Sequence, residues 1–320
     1  MQQPAADALA LHWTTKEVAV KCLRKYFLNF ILNLKPNWGS TPLRYGTVWH
    51  SGMEAFYNHI KANGWAKDGG ALTAAVEAIE KSWEEETVKF PLWNNDYRTR
   101  ENCLQALLAY INHFAMDEGH LKVIEVERSF RLPIVPTEQE QAKFPQLEPF
   151  WYEGKIDLEV YLDGRYWQMD HKTTGQNLSL QASRLQRSGQ AIGYTFAGQT
   201  ELDQEAEGHL IVLHHLSAYK SRTTGEYGKA KIDFQRVPML YDEFDIADWQ
   251  EGFMEQAQRI QMAQRTGTWP MEHGSCYTYG RCAYCDLCES KLSLEEIIER
   301  SPVMENFHIA EPYFHNTGEL

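Results

Sequence analysis

The sequence predicts an α/β domain with helical insertions, and three observations point there. Helix-period patterns dominate the chain to about residue 118, the first clear strand pattern comes only after them, and helical patterns return between the later strands. A chain of 320 residues that is 43% hydrophobic also carries enough apolar side chains for a sizeable core.

Thr14-Thr15-Lys16-Glu17 reads as a capping box, with Thr14 as N-cap and Glu17 reaching back to it. The helix it opens carries Val18, Cys22, Tyr26 and Phe30 at spacings of four, which places Cys22 on an apolar face. A helix over about 46–60 stacks His50 and Glu54 on one side. Helical patterns over 72–89 and 98–118 complete the block. The first strand covers about 123–132, and a loop rich in Pro, Gln and Glu (133–149) separates it from the next. In that next strand, 155–162, Ile156, Leu158, Val160 and Leu162 alternate with Asp157, Glu159 and Tyr161. Asp163-Gly164 behind it signals a tight hairpin, with 165–172 as the returning strand. A helix over 183–199, strands near 209–218 and 229–237, and a long helix over 242–265 follow. Ser293 to Glu296 caps a final short helix, and no internal repeat or low-complexity tract interrupts the pattern.

The net charge of −13 argues against a protein that coats nucleic acid by charge alone. It leaves room for an enzyme that meets DNA in a local groove, because metal ions held by carboxylates add positive charge that residue counting misses. Basic residues also cluster locally: Lys21, Arg24 and Lys25 in one helix, Arg184 and Arg187 in another. No apolar run reaches membrane-spanning length, and residues 1–10 lack the basic-then-apolar order of a secretory signal. The expectation is a cytoplasmic protein with no membrane partner. Four of the six cysteines, Cys276, Cys282, Cys285 and Cys288, lie in one short segment, which in such a compartment points to a metal site rather than disulfides.

The hairpin carries the chemistry. Asp170 and Lys172 stand two apart on the returning strand and so face one way. If the two strands align, Asp157 joins them, and two carboxylates and an ammonium converge. Hard oxygen ligands suit Mg²⁺. A metal there lowers the pKa of a bound water, and an ammonium can orient the attacking water or balance developing charge. By itself an Asp-x-Lys pair also fits an exposed strand with one ion pair. Glu127, one strand earlier, is a further candidate carboxylate.

Gly154-Lys155-Ile156-Asp157, the hairpin, and Met169-Asp170-His171-Lys172-Thr173-Thr174 together resemble the core motif of the PD-(D/E)XK nucleases. More narrowly they resemble the RecB-like branch, which includes AddB and the CRISPR-adaptation nucleases. Gly46-x-x-x-His50 resembles that branch's first motif, Gln190-x-x-x-Tyr194 its Gln-x-x-x-Tyr motif, and Cys22-Leu23-Arg24-Lys25-Tyr26 its Cys-Pro-Arg-Lys-Tyr signature, with Leu23 in place of Pro. The resemblance runs from about residue 15 to 290. It implies a restriction-endonuclease-like core, a central mixed sheet flanked by helices, with a helical insertion at about 60–120 and one nuclease domain over 1–300 followed by a tail, 301–320. It further implies His50, Asp157, Asp170 and the His171 carbonyl as Mg²⁺ or Mn²⁺ ligands and Lys172 as the catalytic lysine. Gln190 and Tyr194 would contact DNA beside the site, and Glu54 would support the metal or stand as an exposed helical carboxylate.

Two readings of the cysteines stay open. Cys276, Cys282, Cys285 and Cys288 suit a self-contained Zn²⁺ knuckle. The resemblance implies instead a 4Fe–4S cluster in which remote Cys22 joins Cys276, Cys282 and Cys288, stapling the ends of the domain. Cys282-x-x-Cys285-x-x-Cys288 also resembles a ferredoxin-type loop, so Cys285 is an alternative to Cys276. Cys103 fits a buried core thiol. The resulting expectation is a metal-dependent deoxyribonuclease acting on DNA ends or single strands, in recombination, repair or phage-type DNA metabolism. A non-catalytic DNA-binding subunit, and a zinc or iron–sulphur structural module, are the competing expectations. No Gly-x-x-x-x-Gly-Lys-Ser/Thr loop occurs, so ATP-driven unwinding would require a helicase or recombination partner.

Overall fold

A computed structural model describes residues 3–65, 69–89, 96–201, 207–278, 280–290, 292–293, 296–297 and 306–310. In chain order the elements are β1 (Ala10–Leu11), α1 (Trp13–Lys21), α2 (Leu23–Tyr26), β2 (Leu34–Pro36), α3 (Thr41–Asn63), α4 (Gly70–Lys89), α5 (Arg100–His113), α6 (Asp117–His120) and β3 (Leu121–Ile134). Then come α7 (Glu138–Lys143), β4 (Phe150–Leu162), β5 (Arg165–Thr174), α8 (Leu178–Leu185), α9 (Gly189–Glu201), β6 (Gly208–Ser217), β7 (Lys231–Met239), α10 (Glu243–Thr266), α11 (Cys285–Glu289) and β8 (Phe307–Ile309). They form two compact units. One comprises 39–130 and 154–249, the other 1–38, 131–153 and 250–320.

The first of these units is built on a mixed sheet. β3 pairs with β4, β4 runs antiparallel to β5, β5 parallel to β6, and β6 antiparallel to β7. The β4–β5 hairpin closes on Asp163 (φ 50°) and Gly164 (φ 77°), two consecutive left-handed residues whose twist matches the flanking strands. The parallel β5–β6 pair needs a crossover, supplied by α8 and α9. Alternation along β6 divides its side chains between two cores. Leu210 and Val212 pack with Tyr45, Trp49, Met53, Ile79, Leu107 and Phe234 on the α3–α5 side. Ile211 and Leu213 pack with Ala182, Ala191, Val237 and Met239 on the α8–α9 side. Burial on both faces is why this strand reads as a continuous apolar run.

In the other unit, β1 pairs in parallel with Trp151 and Tyr152 of β4, and β2 pairs antiparallel with β8 from Leu34–Ile309 to Pro36–Phe307. Leu28, Leu34, Tyr284, Leu287, Ile297 and Phe307 form its small core.

Several sequence expectations need correction. The first helix begins at Trp13 rather than at a Thr14 cap, because the Thr15 hydroxyl accepts from the His12 N–H at 3.0 Å and fixes the start two residues earlier. It also stops at Lys21: Cys22 is extended (φ −169°, ψ 115°), so Cys22 sits between two helices, not within one. The helix about His50 is longer than expected, since Ser40 caps it and Pro42 sits in its first turn. The pattern over 98–118 divides into α5 and α6, and that over 183–199 into α8 and α9, the second opening at Gly189. The Pro-, Gln- and Glu-rich loop hides α7, whose Thr137–Glu140 capping box was present in the sequence. Ser293 and Glu296 do make their reciprocal cap bonds, while most of that last helix, and of the 301–320 segment, lies outside the described residues.

Candidate active site

The β4–β5 register answers whether the hairpin faces align. The β4–β5 ladder runs from Leu162–Arg165 to Leu158–Met169, and Asp157 and Asp170 follow directly at its open end. Asp170 and Lys172 match Ile211 and Leu213 in parallel register and share their α8–α9 face, while His171 matches Val212 and turns to the α3–α5 side. Lys172 Nζ donates to Asp170 Oδ1 at 3.0 Å and lies 2.8 Å from Oδ2. Asp157 Oδ2 accepts from the backbone N–H of His171 at 3.0 Å and stands 3.1 Å from His50 Nδ1.

Helix α3 brings His50 and Glu54 to one cleft, lined also by Met53, Tyr57, Glu127, Asp157, Leu158 and His171. Among the described residues, His50, Glu127 and Asp157 form the one group of three or more potential metal ligands whose donor atoms all lie within 4.8 Å of one another. Glu127 reaches this group from an unusual backbone. Its φ is 54°, left-handed for a non-glycine residue inside a strand, a conformation that persists only where surrounding structure holds it. Its carboxylate also pairs with Lys155.

These charged groups lie close enough to set one another's protonation. Burial would raise the Asp157 carboxyl, but the neighbouring His50, Lys172 and His171 outweigh it and hold the group below the usual carboxylate range. Asp170 shifts the other way, because burial and the Asp157 charge outweigh Lys172. Burial opposes the charged forms of His50 and Lys172, yet the adjacent aspartates raise both above their ordinary values. Burial pushes the His171 imidazole down to about 3. Its Nε2 lies 3.3 Å from Tyr110 Oη, which in turn lies 2.7 Å from Tyr57 Oη. These tyrosines anchor the ring of the residue whose backbone N–H bonds Asp157. Nothing in their helical, apolar sequence context marked them.

Gln190 Nε2 donates to Tyr194 Oη at 3.1 Å. Tyr194 is buried edge-on against Phe130 and pushed up to about 12 by burial and by the Asp170 charge. Gly154 makes room for this arrangement: a Cβ there would collide with the Phe130 ring and come within 3.0 Å of Tyr194.

In the second unit, Cys22 Sγ accepts from the backbone N–H of Lys25 at 3.4 Å and of Glu272 at 3.5 Å, and Arg24 N–H donates to Pro270 O at 3.0 Å. Cys22 is therefore tied to the segment that leads into the cysteine run. The Cys288 thiol is pushed up to about 11 by burial and by the nearby Cys22, Cys282 and Cys276, with Arg24 opposing. Cys285 is buried, its thiol 3.9 Å from the Cys276 carbonyl. Cys103 is fully buried in the α3–α5 core beside Tyr45.

A helix-flanked mixed sheet that presents paired carboxylates and a lysine from adjoining strands has the layout of a hydrolytic centre for phosphodiesters. The profile of the PD-(D/E)XK nuclease superfamily matches residues 14–289, and the chain belongs to that superfamily. Among curated proteins none matches significantly. Similar solved structures include a protein from Eubacterium rectale described as a candidate exonuclease, with 10% identity, a TM-score of 0.46, and coverage of 94% of this chain and 99% of that one. Another is the protein SSO0001, with 10% identity, a TM-score of 0.28, and coverage of 76% and 86%. Among the described residues no helix is long and apolar enough to cross a membrane.

Proposed function

We propose that the chain is a Mg²⁺- or Mn²⁺-dependent deoxyribonuclease whose centre comprises Asp157, Asp170 and Lys172. The observation that supports this reading is that Asp157 and Asp170 both lie at the open end of the β4–β5 ladder, with Lys172 bonded to the latter, in a chain matched by a nuclease profile. The donor set fits a hard divalent ion: carboxylates of Asp157 and Glu127 with the His50 imidazole, all within 4.8 Å. These three would hold the ion, and the resemblance adds Asp170 and the His171 carbonyl as ligands. When bound, the ion supplies a Lewis acid and a water of lowered pKa. Lys172, kept protonated by Asp170 and Asp157, would orient an attacking water and balance charge on the scissile phosphate. Glu54 faces the same cleft as a supporting carboxylate, and Gln190 with Tyr194 flanks the path of the DNA.

The RecB-like resemblance supports end processing or exonuclease action in recombination, repair or phage DNA metabolism; the missing phosphate-binding loop supports a helicase or recombination partner, and the lack of a signal-like N-terminus supports the cytoplasm. The family profile spans both units, in keeping with one nuclease domain. We also propose that Cys22, Cys276, Cys282 and Cys288 hold a 4Fe–4S cluster. The resemblance supports it, as does the tie between Cys22 and the segment leading into the cysteine run, through the Glu272 N–H to Cys22 Sγ and the Arg24 N–H to Pro270 O, with Cys285 as the alternative to Cys276.

The test is cleavage of labelled DNA with and without Mg²⁺ or Mn²⁺, by wild type and by Asp157→Ala, Asp170→Ala and Lys172→Ala. Each substitution is expected to lower turnover by about 100-fold or more while far-ultraviolet circular dichroism is unchanged. Wild-type turnover in any of the three would reject the assigned centre.

A further inference from the structure

The turn between β6 and β7 differs in charge from the rest of the chain. Residues 218–231 hold Lys220, Arg222, Lys229 and Lys231 against one acid, Glu226, in a protein of net charge −13. All four cations are exposed, and none is ion-paired among the described residues. Tyr219 is 72% exposed.

Hydrogen bonds brace the turn. Lys220 bridges Tyr227, Ser221 N–H donates to Glu226 O at 2.8 Å, and Gly228 N–H to Tyr219 O at 2.9 Å. Thr223 and Thr224 N–H both donate to Ser221 Oγ, and Gly225 (φ 73°) completes the bend. Tyr227 packs edge-on against Tyr97 at 5.5 Å and carries the Lys220 ammonium 5.0 Å above its ring. The backbone that carries the four cations and the outward tyrosine is hydrogen-bonded across the turn, and Lys220 lies over Tyr227, which lowers the entropy cost of binding.

The ribbon also lies in line with the candidate centre. Lys172 pairs with Leu213, and β6 continues in the same direction to Ser217, about 13 Å further at the usual strand rise. Arg184, exposed and bonded to Gln176 just beyond β5, adds a cation at the same end of the sheet.

We propose that this basic turn grips the unpaired DNA strand leading away from the Asp157–Asp170–Lys172 centre, its cations on successive phosphates and Tyr219 stacked on a base. The proposal rests on the nuclease reading above. Cations tracking a backbone beside an aromatic platform are what single-strand binding requires, because every base offers a ring face and every nucleotide a charge.

The experiment measures anisotropy of a labelled 20-nucleotide single strand and of its duplex over a salt series, with Ca²⁺ in place of Mg²⁺, alongside cleavage kinetics in Mg²⁺. Combined Lys220→Gln, Arg222→Gln, Lys229→Gln and Lys231→Gln is expected to raise the single-strand Kd by about tenfold or more and make the log–log salt slope shallower by about 3. KM should rise with it, while kcat at saturating DNA stays within about twofold, as for lost uniform binding. Lys220→Arg with Lys229→Arg and Lys231→Arg should keep the slope. Tyr219→Ala should weaken single-strand binding by about fivefold or more without changing the slope. An unchanged Kd and slope in the quadruple variant, with a wild type that binds and cleaves DNA, would overturn the proposal alone. A wild type that neither binds nor cleaves DNA would overturn the nuclease reading and this one with it. Equal weakening on duplex, with Tyr219→Ala silent, would overturn the unpaired-strand assignment.

Discussion

His214 lies at the centre of the α3–α5 core with neither ring nitrogen hydrogen-bonded among the described residues. Its ring centroid is 4.2 Å from Trp49 and 5.0 Å from Phe234. Burial holds its pKa down to about 3, and His209 is held at about 3 for the same reason. Both folded values lie below the unfolded value, so the unfolded chain takes up protons first as pH falls. The stabilisation is complete above about pH 6.5 and drains away as pH falls toward 3, at a cost of order 2 kcal/mol per histidine by pH 5. Urea unfolding between pH 7 and 5 should show the midpoint dropping, and His214→Phe should lessen that pH slope by about one proton. Equal slopes in variant and wild type would mean that His214 is not held neutral. A histidine in a strand sequence gives no sign of such a fate, because its environment comes from α3 and β7. By contrast, the spacing of Asp170 and Lys172 was readable, since two residues apart on a strand means one face. Glu127 was visible only as a carboxylate in a strand; its left-handed φ, which no local sequence feature signals, accompanies its place beside His50 and Asp157.

Gly154 shows what an element contributes beyond its side chains. It lies on β4 where the strand passes under Phe130 and Tyr194, and any Cβ would collide with the Phe130 ring. Gly154→Ala is therefore expected to destabilise by about 1–3 kcal/mol, as overpacking does. It should also reduce cleavage, because Tyr194 lies beside Asp170 and Lys172. Adding Phe130→Leu should recover most of the lost stability, a coupling that a double-mutant cycle of thermal unfolding would detect. Independent, additive losses would show that the two side chains do not share that space. At this scale the strands were legible wherever one residue in two was apolar, and Asp163-Gly164 announced its turn. The breaks at Cys22 and at Gly189 were not, because helical spacing carries straight across a residue that leaves the helix and returns in phase.

For the molecule as a whole, the order of helices and strands indicated an α/β fold, and the motif order its superfamily. The β2–β8 pairing escaped notice, since three-residue strands far apart in sequence leave no periodic trace. Cys22→Ser tests the proposed staple. It should remove the bound iron and the brown colour and lower the unfolding temperature, because a metal joining distant segments contributes its binding energy to folding. Cys103→Ser should keep its iron. Full iron in Cys22→Ser, with loss in Cys282→Ser and Cys288→Ser, would place the metal site wholly within the cysteine run. The division of the chain has a consequence for its synthesis. The unit bearing Asp157, Asp170 and Lys172 is complete at residue 249, whereas the other waits for the segment from 250 onward. A ribosome adding about 5–20 residues per second therefore completes every residue of the candidate catalytic centre, His50, Glu127 and Asp157 among them, several seconds before it adds Cys276.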